Sequence, residues 1–436
     1  MTVLETAKQI AEIPKWIKPC VWTARMLKAL KEGVKGDRWF SLIDKIASKA
    51  NLEDAAKHVI GNKGCAGIDN ITVEQYAKRL ESELEKLQTK LLDGTFQPSA
   101  TKRVYIPKPG STEQRPLGIP TVSNRVANGA IVNAIEPIFE ETFAKHSYGF
   151  RPGRGCKDAL RVVDNALQEG RLYVVDADLK SYFDTIPHDK LMERIKEKIA
   201  DGKVLALIES FLKAGIMDGL KSWTPEMGTP QGGVLSPLLA NIYLNPLDHE
   251  MERAGILMVR YADDLVAMCK SAEEAQQTLA KLEQWTKEAG LILHPTKTRI
   301  VDMTQKGSGF DFLGYHFERT RKTNKIRRWP REKSIKKLKD NIREQTRRCN
   351  GHSMEAIITN VNRTLVGWFE YFKQSNETTF RELDGWIRMR LRSINRKRTK
   401  RRGRGRGNDH QRWPNDYFHK KGLKNMLESR RALITG

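Results

Sequence analysis

Hydrophobic residues recur at the spacing of an α-helix in two parts of the chain. In the first hundred residues, apolar side chains three and four positions apart form one stripe, made of Tyr76, Leu80, Leu84, Leu87 and Leu91. A second stripe is made of Ile358, Val361, Leu365, Trp368 and Phe372. Side chains at this spacing lie on one face of a helix, so both stripes predict amphipathic helices that face a core. The first hundred residues are therefore predicted to be mostly helical, with a helical bundle in the C-terminal third of the chain.

The middle of the chain contains a strand-like run that carries carboxylates. Side chains alternate between the two faces of a strand, so Asp176 and Asp178 share a face with the apolar Val174. A carboxylate in such a position is costly to bury unless it is paired, hydrogen-bonded or bound to a cation. The run therefore predicts carboxylates with specific partners.

A second acidic feature lies between two short apolar runs. Residues 255–260 and 265–268 are strand-like, and Tyr261-Ala262-Asp263-Asp264 separates them. This pattern predicts a β-hairpin with adjacent carboxylates at its tip. Asp is also a common turn residue, so the tetrapeptide alone does not establish a site. Together with Asp178, it predicts an oxygen-rich site suited to Mg²⁺, where two ions can serve the attacking and leaving oxygens of a nucleotidyl transfer.

Two basic residues flank a predicted turn between proline-containing strands. Lys108 precedes this turn and Arg115 follows it. Proline removes a backbone donor, so the strands are expected at the edge of a sheet. The two cations either reach one triphosphate together or are solvated hairpin charges, and the stretch itself leaves both interpretations open.

Two other segments have compositions that suit nucleic acid. Residues 146–156 mix aromatic residues, glycines and arginines, which fits a loop lying against a nucleic-acid backbone. Residues 388–406 hold eleven Lys or Arg among nineteen residues and no acid. A run of this kind is usually solvated or disordered, and it often serves as a segment that binds nucleic acid.

Composition narrows the class of protein further. The 436 residues suffice for two or three domains, and 77 Lys and Arg against 53 Asp and Glu give a net charge of +24. This excess predicts a polyanionic partner. No apolar run is long enough to span a bilayer, and the N-terminal residues resemble neither a signal nor a transit peptide. Five scattered cysteines without a C-x-x-C pair indicate a reducing compartment rather than a zinc ribbon or disulfide framework.

Taken together, these segments resemble a bacterial group II intron-encoded reverse transcriptase, also called a maturase. The matching blocks stand in the family's order over roughly residues 60–320. They are Ile106-Pro107-Lys108-Pro109 with Arg115-Pro116-Leu117-Gly118-Ile119-Pro120, Ser147-Tyr148-Gly149-Phe150-Arg151-Pro152, Asp178 through Phe183-Asp184, Thr229-Pro230-Gln231-Gly232-Gly233, Tyr261-Ala262-Asp263-Asp264 and Phe312-Leu313-Gly314. Downstream, residues 362–372 resemble the signature of the family's thumb, or domain X.

The resemblance implies an α+β fold of the right-hand polymerase type, with fingers, a palm built on an antiparallel sheet, a helical thumb and a helical N-terminal extension. The implied domains are 1–100 for the N-terminal extension and the start of the fingers, 101–320 for fingers and palm, 321–395 for the thumb and 396–436 for a basic nucleic-acid-binding segment. The chain stops at Gly436 without the paired cysteines of the HNH-type endonuclease that larger relatives carry. We therefore expect a form without that nuclease, which inserts at single-stranded or already opened DNA.

The resemblance also implies roles for individual residues. Asp178, Asp263 and Asp264 match the catalytic, metal-binding carboxylates, and Asp176 and Asp184 are not assigned metal. The nucleotide-binding positions are Lys108, Arg115, Phe183 and Gln231, with Phe183 as the steric gate against a ribose 2′-hydroxyl. The primer- or template-binding positions are Arg151, Phe312, Leu313 and Gly314. RNA-binding positions in the basic run are Arg396, Lys397, Arg398, Lys400, Arg401, Arg402, Arg404 and Arg406.

The expected function is RNA-directed DNA synthesis encoded by a group II intron, with assistance to splicing and retrohoming by target-primed reverse transcription. The expected cofactor is a pair of Mg²⁺ ions, with Mn²⁺ as a substitute. The expected partners are intron RNA, an RNA template, a DNA target or primer and deoxynucleoside triphosphates, and no membrane is expected. The expected location is the bacterial cytoplasm, with association with the nucleoid during insertion. Two alternatives stay open at this point: a domesticated reverse transcriptase in host defence or repair, and an RNA chaperone with a vestigial site. The oligomeric state is not predicted.

Overall fold

The computed structural model describes Pro14 and residues 16–107, 114–230, 232–349, 351–405 and 407–435. The chain divides into two units, Met1–Ile300 and Val301–Gly436. Each unit contains its own cluster of buried apolar side chains. Among the described residues, no helix is both long and apolar enough to cross a membrane.

Side-chain caps begin the helices of the N-terminal region. The Ser48 hydroxyl accepts from the backbone N–H of Asn51, and Thr72 forms a reciprocal capping box with Gln75. The helices of this region are α1 (Ala24–Glu32), α2 (Ile43–Ile46), α3 (Lys49–Gly61), α4 (Val73–Lys78) and α5 (Leu80–Asp93). The apolar stripe that predicted one helix therefore spans two, because the backbone leaves helical geometry at Arg79. Its side chains still point to the core, since Tyr76, Leu84, Leu87 and Leu91 are all buried.

The first sheet of this unit has the strand order β2-β1-β4-β5. Its strands are β1 (Thr101–Pro107), β2 (Gln114–Ile119), β4 (Ile216–Asp218) and β5 (Lys221–Trp223). Strands β1 and β2 pair antiparallel, so Arg115 faces Ile106 across the ladder. As its proline content predicts, β2 lies at an edge of this sheet, but the same expectation is wrong for β1, which also pairs with β4 through Thr101 and Lys102.

The second sheet, which we call the aspartate sheet, carries the predicted carboxylates. Its strands, in the order β6-β7-β3-β8, are β6 (Leu257–Tyr261), β7 (Asp264–Cys269), β3 (Tyr173–Asp178) and β8 (Arg299–Asp302). Strands β6 and β7 form the predicted hairpin, and β3 pairs antiparallel with β7. The helices that complete the unit are α6 (Val122–Glu140), α7 (Cys156–Gln168), α8 (Tyr182–Thr185), α9 (His188–Lys196), α10 (Gly202–Leu212), α11 (Ser236–Arg253) and α12 (Ala272–Glu288).

Strands β3 and β7 are almost entirely apolar apart from their aspartates, which explains their place in the core. Val174, Val175, Leu265, Val266 and Ala267 are fully buried between the surrounding helices. Removing such a side chain costs both transfer free energy and packing, about 2–5 kcal/mol for a leucine truncated to alanine. The ends of β3 and β7 are therefore held rigidly, and the carboxylates sit on that rigid edge.

The second unit combines a small sheet with a helical bundle. Its sheet has the order β11-β10-β9, from β9 (Gly309–Phe312), β10 (Tyr315–Arg319) and β11 (Ile326–Pro330). The aromatic residues of Phe310 to Phe317 predict one short strand, but the segment is instead a hairpin. Leu313 and Gly314 both have positive φ, which suits a two-residue hairpin turn. Phe310 and Phe317 then stack on one face with ring centroids 5.0 Å apart.

The bundle of the second unit includes the C-terminal residues. Its helices are α13 (Glu332–Gln345), α14 (Met354–Phe372), α15 (Glu377–Arg398), α16 (Asp409–Arg412), α17 (Asn415–Lys420) and α18 (Met426–Thr435). The predicted apolar stripe of α14 packs against α13 and α15. Trp413, Phe418, Leu423 and Met426 are buried in the same core. The basic run of residues 388–406 therefore begins within the last turns of α15. The residues that follow the run fold back onto the bundle.

Candidate active site

The register of the aspartate sheet brings the three predicted carboxylates to one end of it. Asp178, the last residue of β3, lies directly opposite Asp264, the first residue of β7. Asp263 occupies the turn of the β6–β7 hairpin together with Ala262, which has a φ of +59°. A positive φ at an alanine is strained, so the surrounding structure must hold this turn in place.

The electrostatics of Asp263 reflect this crowding. Burial raises the pKa of Asp263 above its ordinary value, and the nearby charge of Asp178 raises it further. A backbone hydrogen bond and the charges of Arg115 and Lys297 oppose the rise. A buried carboxylate beside a second negative charge, as Asp263 is, forms a site that attracts cations.

Lys297 pairs with Asp178. Its Nζ donates to Asp178 Oδ2 at 2.6 Å, and the segment that carries it is fixed because the backbone N–H of His294 donates to the carbonyl of Asp178 at 2.7 Å. The neighbouring Asp176 pairs with Arg299, whose Nε lies 3.5 Å from the carboxylate. Sequence reasoning missed Lys297, because its proximity to a strand 119 residues away is created only by the fold.

A buried ion pair supports the hairpin from within. Arg260 is fully buried, and its Nε donates to Asp248 Oδ1 on α11 at 2.8 Å. The same guanidinium donates to the side chains of Asn241 at 3.0 Å and Ser147 at 2.8 Å. It also donates to the carbonyl of Ala262 at 3.1 Å. Arg260 therefore links helix, loop and strained turn, and the position of Asp263 depends on it.

The loop of residues 146–151 packs directly on this hairpin. The backbone N–H of Tyr148 donates to the carbonyl of Arg260 at 2.9 Å, and the Asn241 amide donates to the carbonyl of Gly149 at 2.8 Å. Any side chain at Gly149 would collide with the backbone of Ala262. Glycine is thus required for this close approach.

Arg151 belongs to that support rather than to an exposed surface. We expected Arg151 to contact primer or template, but its side chain is 2% exposed and its Nη2 lies 2.6 Å from Glu140 Oε1. Its Nη1 donates to the carbonyl of Ala144 at 2.7 Å. A guanidinium buried in this way needs such partners, and they leave it shielded from a nucleic-acid strand.

Three aromatic rings lie side by side near the aspartates. The Phe183 ring packs edge-on against Phe150, with centroids 6.4 Å apart, and Phe150 lies 6.4 Å from the ring of Tyr261. Phe183 is half-buried, whereas Phe150 is 50% exposed and has a φ of +55°. An exposed aromatic side chain on a strained backbone is a functional signal that sequence reasoning missed at Phe150.

The remaining nucleotide-binding positions are distributed around these rings. Arg115 is exposed, and its charge acts on Asp263. The backbone N–H of Thr229 donates to the carbonyl of Phe183 at 2.7 Å, which ties the glycine-rich loop to α8. A Cβ at Gly228 would lie 2.8 Å from the Asp184 carbonyl oxygen, so only glycine permits this approach. Lys108 and Gln231 lie outside the described residues.

The donor chemistry of this end of the sheet suits a hard divalent cation. Asp178, Asp263 and Asp264 offer only oxygen, and burial together with the charge of Asp178 raises the pKa of Asp263. In the part of the chain that the structure describes, no three His, Cys, Asp or Glu side chains are grouped closely enough to hold a metal ion. The three carboxylates thus fit Mg²⁺ by donor type but do not form a complete ligand set on their own, so water and substrate phosphate would have to supply further ligands.

Comparison with known proteins gives the same assignment. The family described as reverse transcriptase (RNA-dependent DNA polymerase) matches residues 106–317, and the group II intron maturase-specific domain matches residues 335–413. Protein YkfC of Escherichia coli K12 is 35% identical over 313 residues, which are 62% of this chain and 81% of YkfC. The chain belongs to the group II intron reverse transcriptase family. The predicted family, right-hand polymerase fold class and enzyme class, RNA-directed DNA polymerase, are thereby confirmed.

Two further comparisons cover less of the partner protein. The group II intron-encoded protein LtrA of Lactococcus lactis subsp. cremoris is 40% identical over 196 residues, which are 44% of this chain and 32% of LtrA. A chain of the partial Cas6-RT-Cas1–Cas2 complex aligns with 57% of this chain and 41% of its own length, at 26% identity and a TM-score of 0.38.

In this reverse transcriptase, the Phe312-Leu313-Gly314 segment lies in the second unit. Phe312 is fully buried, so its side chain belongs to the core. Leu313 is half-buried, and its carbonyl accepts from the Tyr371 hydroxyl at 2.7 Å. Only the turn itself, at Leu313 and Gly314, has the partial exposure that contact with a primer requires.

The predicted RNA-binding arginines of the reverse transcriptase fall into two groups. Arg396 pairs with the buried Asp409, and Arg398 donates to the carbonyl of His352. Both of these therefore help to fold the bundle. Arg398 is nevertheless exposed, as are all members of the second group: Lys397, Lys400, Arg401, Arg402 and Arg404. Arg406 lies outside the described residues.

Proposed function

We propose that this chain is the RNA-directed DNA polymerase of a group II intron, which binds its intron RNA and copies it into DNA during target-primed insertion. The observation that carries the proposal is the register pair Asp178 and Asp264, with Asp263 in the adjoining turn. The maturase-specific match over residues 335–413 supports the intron-associated part. The same match disfavours a domesticated enzyme that no longer serves an intron.

In this proposal Asp178, Asp263 and Asp264 hold two Mg²⁺ ions, for which Mn²⁺ can substitute. When bound, the ions would lower the pKa of the primer 3′-hydroxyl and neutralise charge on the triphosphate and pyrophosphate. The protein's own contribution is positioning, since the buried Arg260 fixes the turn and the apolar strands fix the sheet edge. Lys297 balances the charge of Asp178 within the protein.

The nucleotide would lie on the exposed side of the aspartates. Arg115 acts electrostatically on Asp263 and is free to point its guanidinium at a triphosphate, which planar donors bind well. We assign Lys108 and Gln231 to the same pocket by resemblance. Phe183, supported by the ring of Phe150, would occupy the space of a ribose 2′-hydroxyl. The expected substrate is therefore a deoxynucleoside triphosphate.

Intron RNA would be held by positive surface. The net charge of +24 exceeds what an enzyme acting on small molecules requires, and structured RNA is recognised largely through its shape and phosphates. The exposed cations of residues 397–404 are proposed contacts. A DNA target and primer complete the proposed set of partners, and insertion would place the enzyme at the nucleoid.

The proposal is tested with the purified full chain. A DNA primer annealed to an RNA template should be extended to the template end with the four deoxynucleoside triphosphates and Mg²⁺, and primer without template should not. RNA that copurifies from the native host should be sequenced in parallel. We expect one dominant self-splicing RNA whose sequence encodes this chain.

The two measurements separate the parts of the proposal. Failure to extend the primer with either Mg²⁺ or Mn²⁺ would contradict the polymerase assignment. Extension accompanied by a scattered population of cellular RNAs would retain the polymerase and remove the intron role.

A further inference from the structure

A small cleft in the second unit is lined by arginines. It has a volume of about 170 Å³ and lies where the C-terminal end of α13 approaches α15. Its walls carry Arg343, Arg348, Arg390 and Arg404. Among the described residues, no carboxylate pairs with Arg348, Arg390 or Arg404, whereas Arg343 pairs with Asp340. We call this site the arginine cleft.

One of the four arginines has an evident structural role. Arg390 donates from Nε to Thr346 Oγ1 at 3.0 Å and from Nη2 to the carbonyl of Thr346 at 2.9 Å. Cations are favourable at a helix C-terminus, so Arg390 acts as a cap for α13. Capping does not account for Arg348 and Arg404, which are exposed and come from separate segments of the chain.

Packing against a tryptophan restrains two of the cleft arginines and one neighbouring lysine. Lys339 and Arg343 each lie 5.7 Å from the centroid of the Trp386 ring, and Arg390 lies 5.9 Å from it. Cation–π contacts of this kind restrain the guanidinium groups. Burial lowers the pKa of Arg390, and the charges of Arg343, Arg348 and Arg404 lower it further. The cleft therefore concentrates like charges that repel one another in the free protein.

We propose that the arginine cleft binds a backbone phosphate of structured RNA. An anion between Arg348 and Arg404 would relieve the repulsion, and guanidinium groups match phosphate oxygens in pairs of hydrogen bonds. RNA is favoured over DNA because all four arginines lie within residues 335–413, which match the group II intron maturase-specific domain. The inference rests on the proposed function and assigns one defined contact to its RNA-binding surface.

Paired variants of the full chain test this assignment. Arg348→Gln with Arg404→Gln removes two charges from the cleft. Arg347→Gln with Arg363→Gln is the matched control, since it removes two exposed charges from the same unit outside the cleft. Binding of a fluorescein-labelled RNA stem-loop is measured across a salt series, with a DNA duplex of the same length as a second probe. Melting transitions establish that each variant is folded.

For the cleft variant we expect about tenfold weaker RNA affinity and a salt slope lower by about 0.9, the change that one lost phosphate contact produces. The control should change both quantities by much less. Arg348→Lys with Arg404→Lys should retain most of the slope and lose part of the affinity, because lysine keeps charge without the paired donors.

Other outcomes would overturn the inference. Equal effects in the cleft variant and the control would show that only overall charge matters. A steep slope in the wild type that neither variant changes would place the RNA contacts elsewhere and leave the proposed function intact. A larger loss of DNA binding than of RNA binding would assign the cleft to DNA. If the wild type binds the RNA stem-loop without salt dependence, both the cleft and the RNA-binding function fail.

Discussion

Arg260 and Asp248 form a buried ion pair immediately behind the turn that carries Asp263. The pair connects β6 to α11, and Arg260 adds a hydrogen bond to the carbonyl of Ala262. Buried ion pairs are a weak source of stability, but breaking one by removing a single partner costs about 3–5 kcal/mol. We infer that this pair is retained for the position it imposes on the turn.

Arg260→Lys tests that role, because lysine keeps the charge and loses the fork that reaches several partners. Primer extension under single-turnover conditions should slow by about tenfold or more, which corresponds to about 1.4 kcal/mol in the barrier. Affinity for primer–template should stay unchanged. Arg253→Lys, at the exposed end of α11, is the control and should extend normally. An Arg260→Lys enzyme that melts earlier but extends at the wild-type rate would restrict the pair to stability.

Asp263 should destabilise the protein when no metal is bound. Because burial and the charge of Asp178 raise its pKa, the folded state keeps this proton to a higher pH than the unfolded chain does. Stability from this group therefore falls as the pH rises from the ordinary carboxyl pKa, about 3.9, through the raised value. Asp263→Asn should then melt at a higher temperature than the wild type in EDTA at neutral pH, with the difference vanishing below the ordinary pKa.

Asp176→Asn is the control for this experiment, since Asp176 is paired with Arg299 and should not gain stability from neutralisation. A lower melting temperature for Asp263→Asn at neutral pH would mean that the carboxylate is already compensated within the protein.

Phe183 should determine the choice of sugar. Phe183→Ala should raise ribonucleotide incorporation relative to deoxynucleotide incorporation, because it opens the space that a 2′-hydroxyl needs. Phe150→Ala should produce a smaller shift in the same direction, since the Phe150 ring packs edge-on against Phe183. Competition between the two nucleotides on one template measures the ratio. Equal loss of both activities would reduce Phe183 to a packing residue.

The C-terminal residues should be essential to the folding of the second unit. Phe418 is fully buried, so Phe418→Ala should cost about 3–5 kcal/mol. Arg402→Gln, at an exposed position in the basic run, should change stability by less than about 0.5 kcal/mol. Urea unfolding of both variants makes the comparison. A small loss for Phe418→Ala would restore the simpler expectation of a basic arm attached to a complete bundle.

Sequence reasoning succeeded where local pattern determines structure. The hairpin of Asp263 follows from two apolar runs around a polar turn, and the burial of α14 follows from its helical stripe. It failed where one residue breaks a pattern. Gly314 permits a turn inside an apparently continuous strand, and Arg79 ends a helix within a continuous stripe.

Other features required the fold itself. Nothing near Lys297 in the sequence indicates its contact with Asp178. The sequence around Arg260 likewise indicates only a polar residue beside a turn, and not its buried contacts. Arg151 was expected on the nucleic acid because its loop is rich in arginine and aromatic residues. Its burial against Glu140 depends on a helix that precedes it, which composition does not reveal.

We propose that Asp178, Asp263 and Asp264 together carry out RNA-templated DNA synthesis. The most direct test is single-turnover extension of a DNA primer on an RNA template by Asp178→Asn, Asp263→Asn and the control Asp176→Asn, with primer–template affinity measured for each. We predict that the first two lose extension by about a thousandfold or more, since bound metal supplies several kcal/mol, and that affinity is nearly unchanged. Asp176→Asn should remain active. Substantial extension in Mg²⁺ by both Asp178→Asn and Asp263→Asn would contradict the assignment.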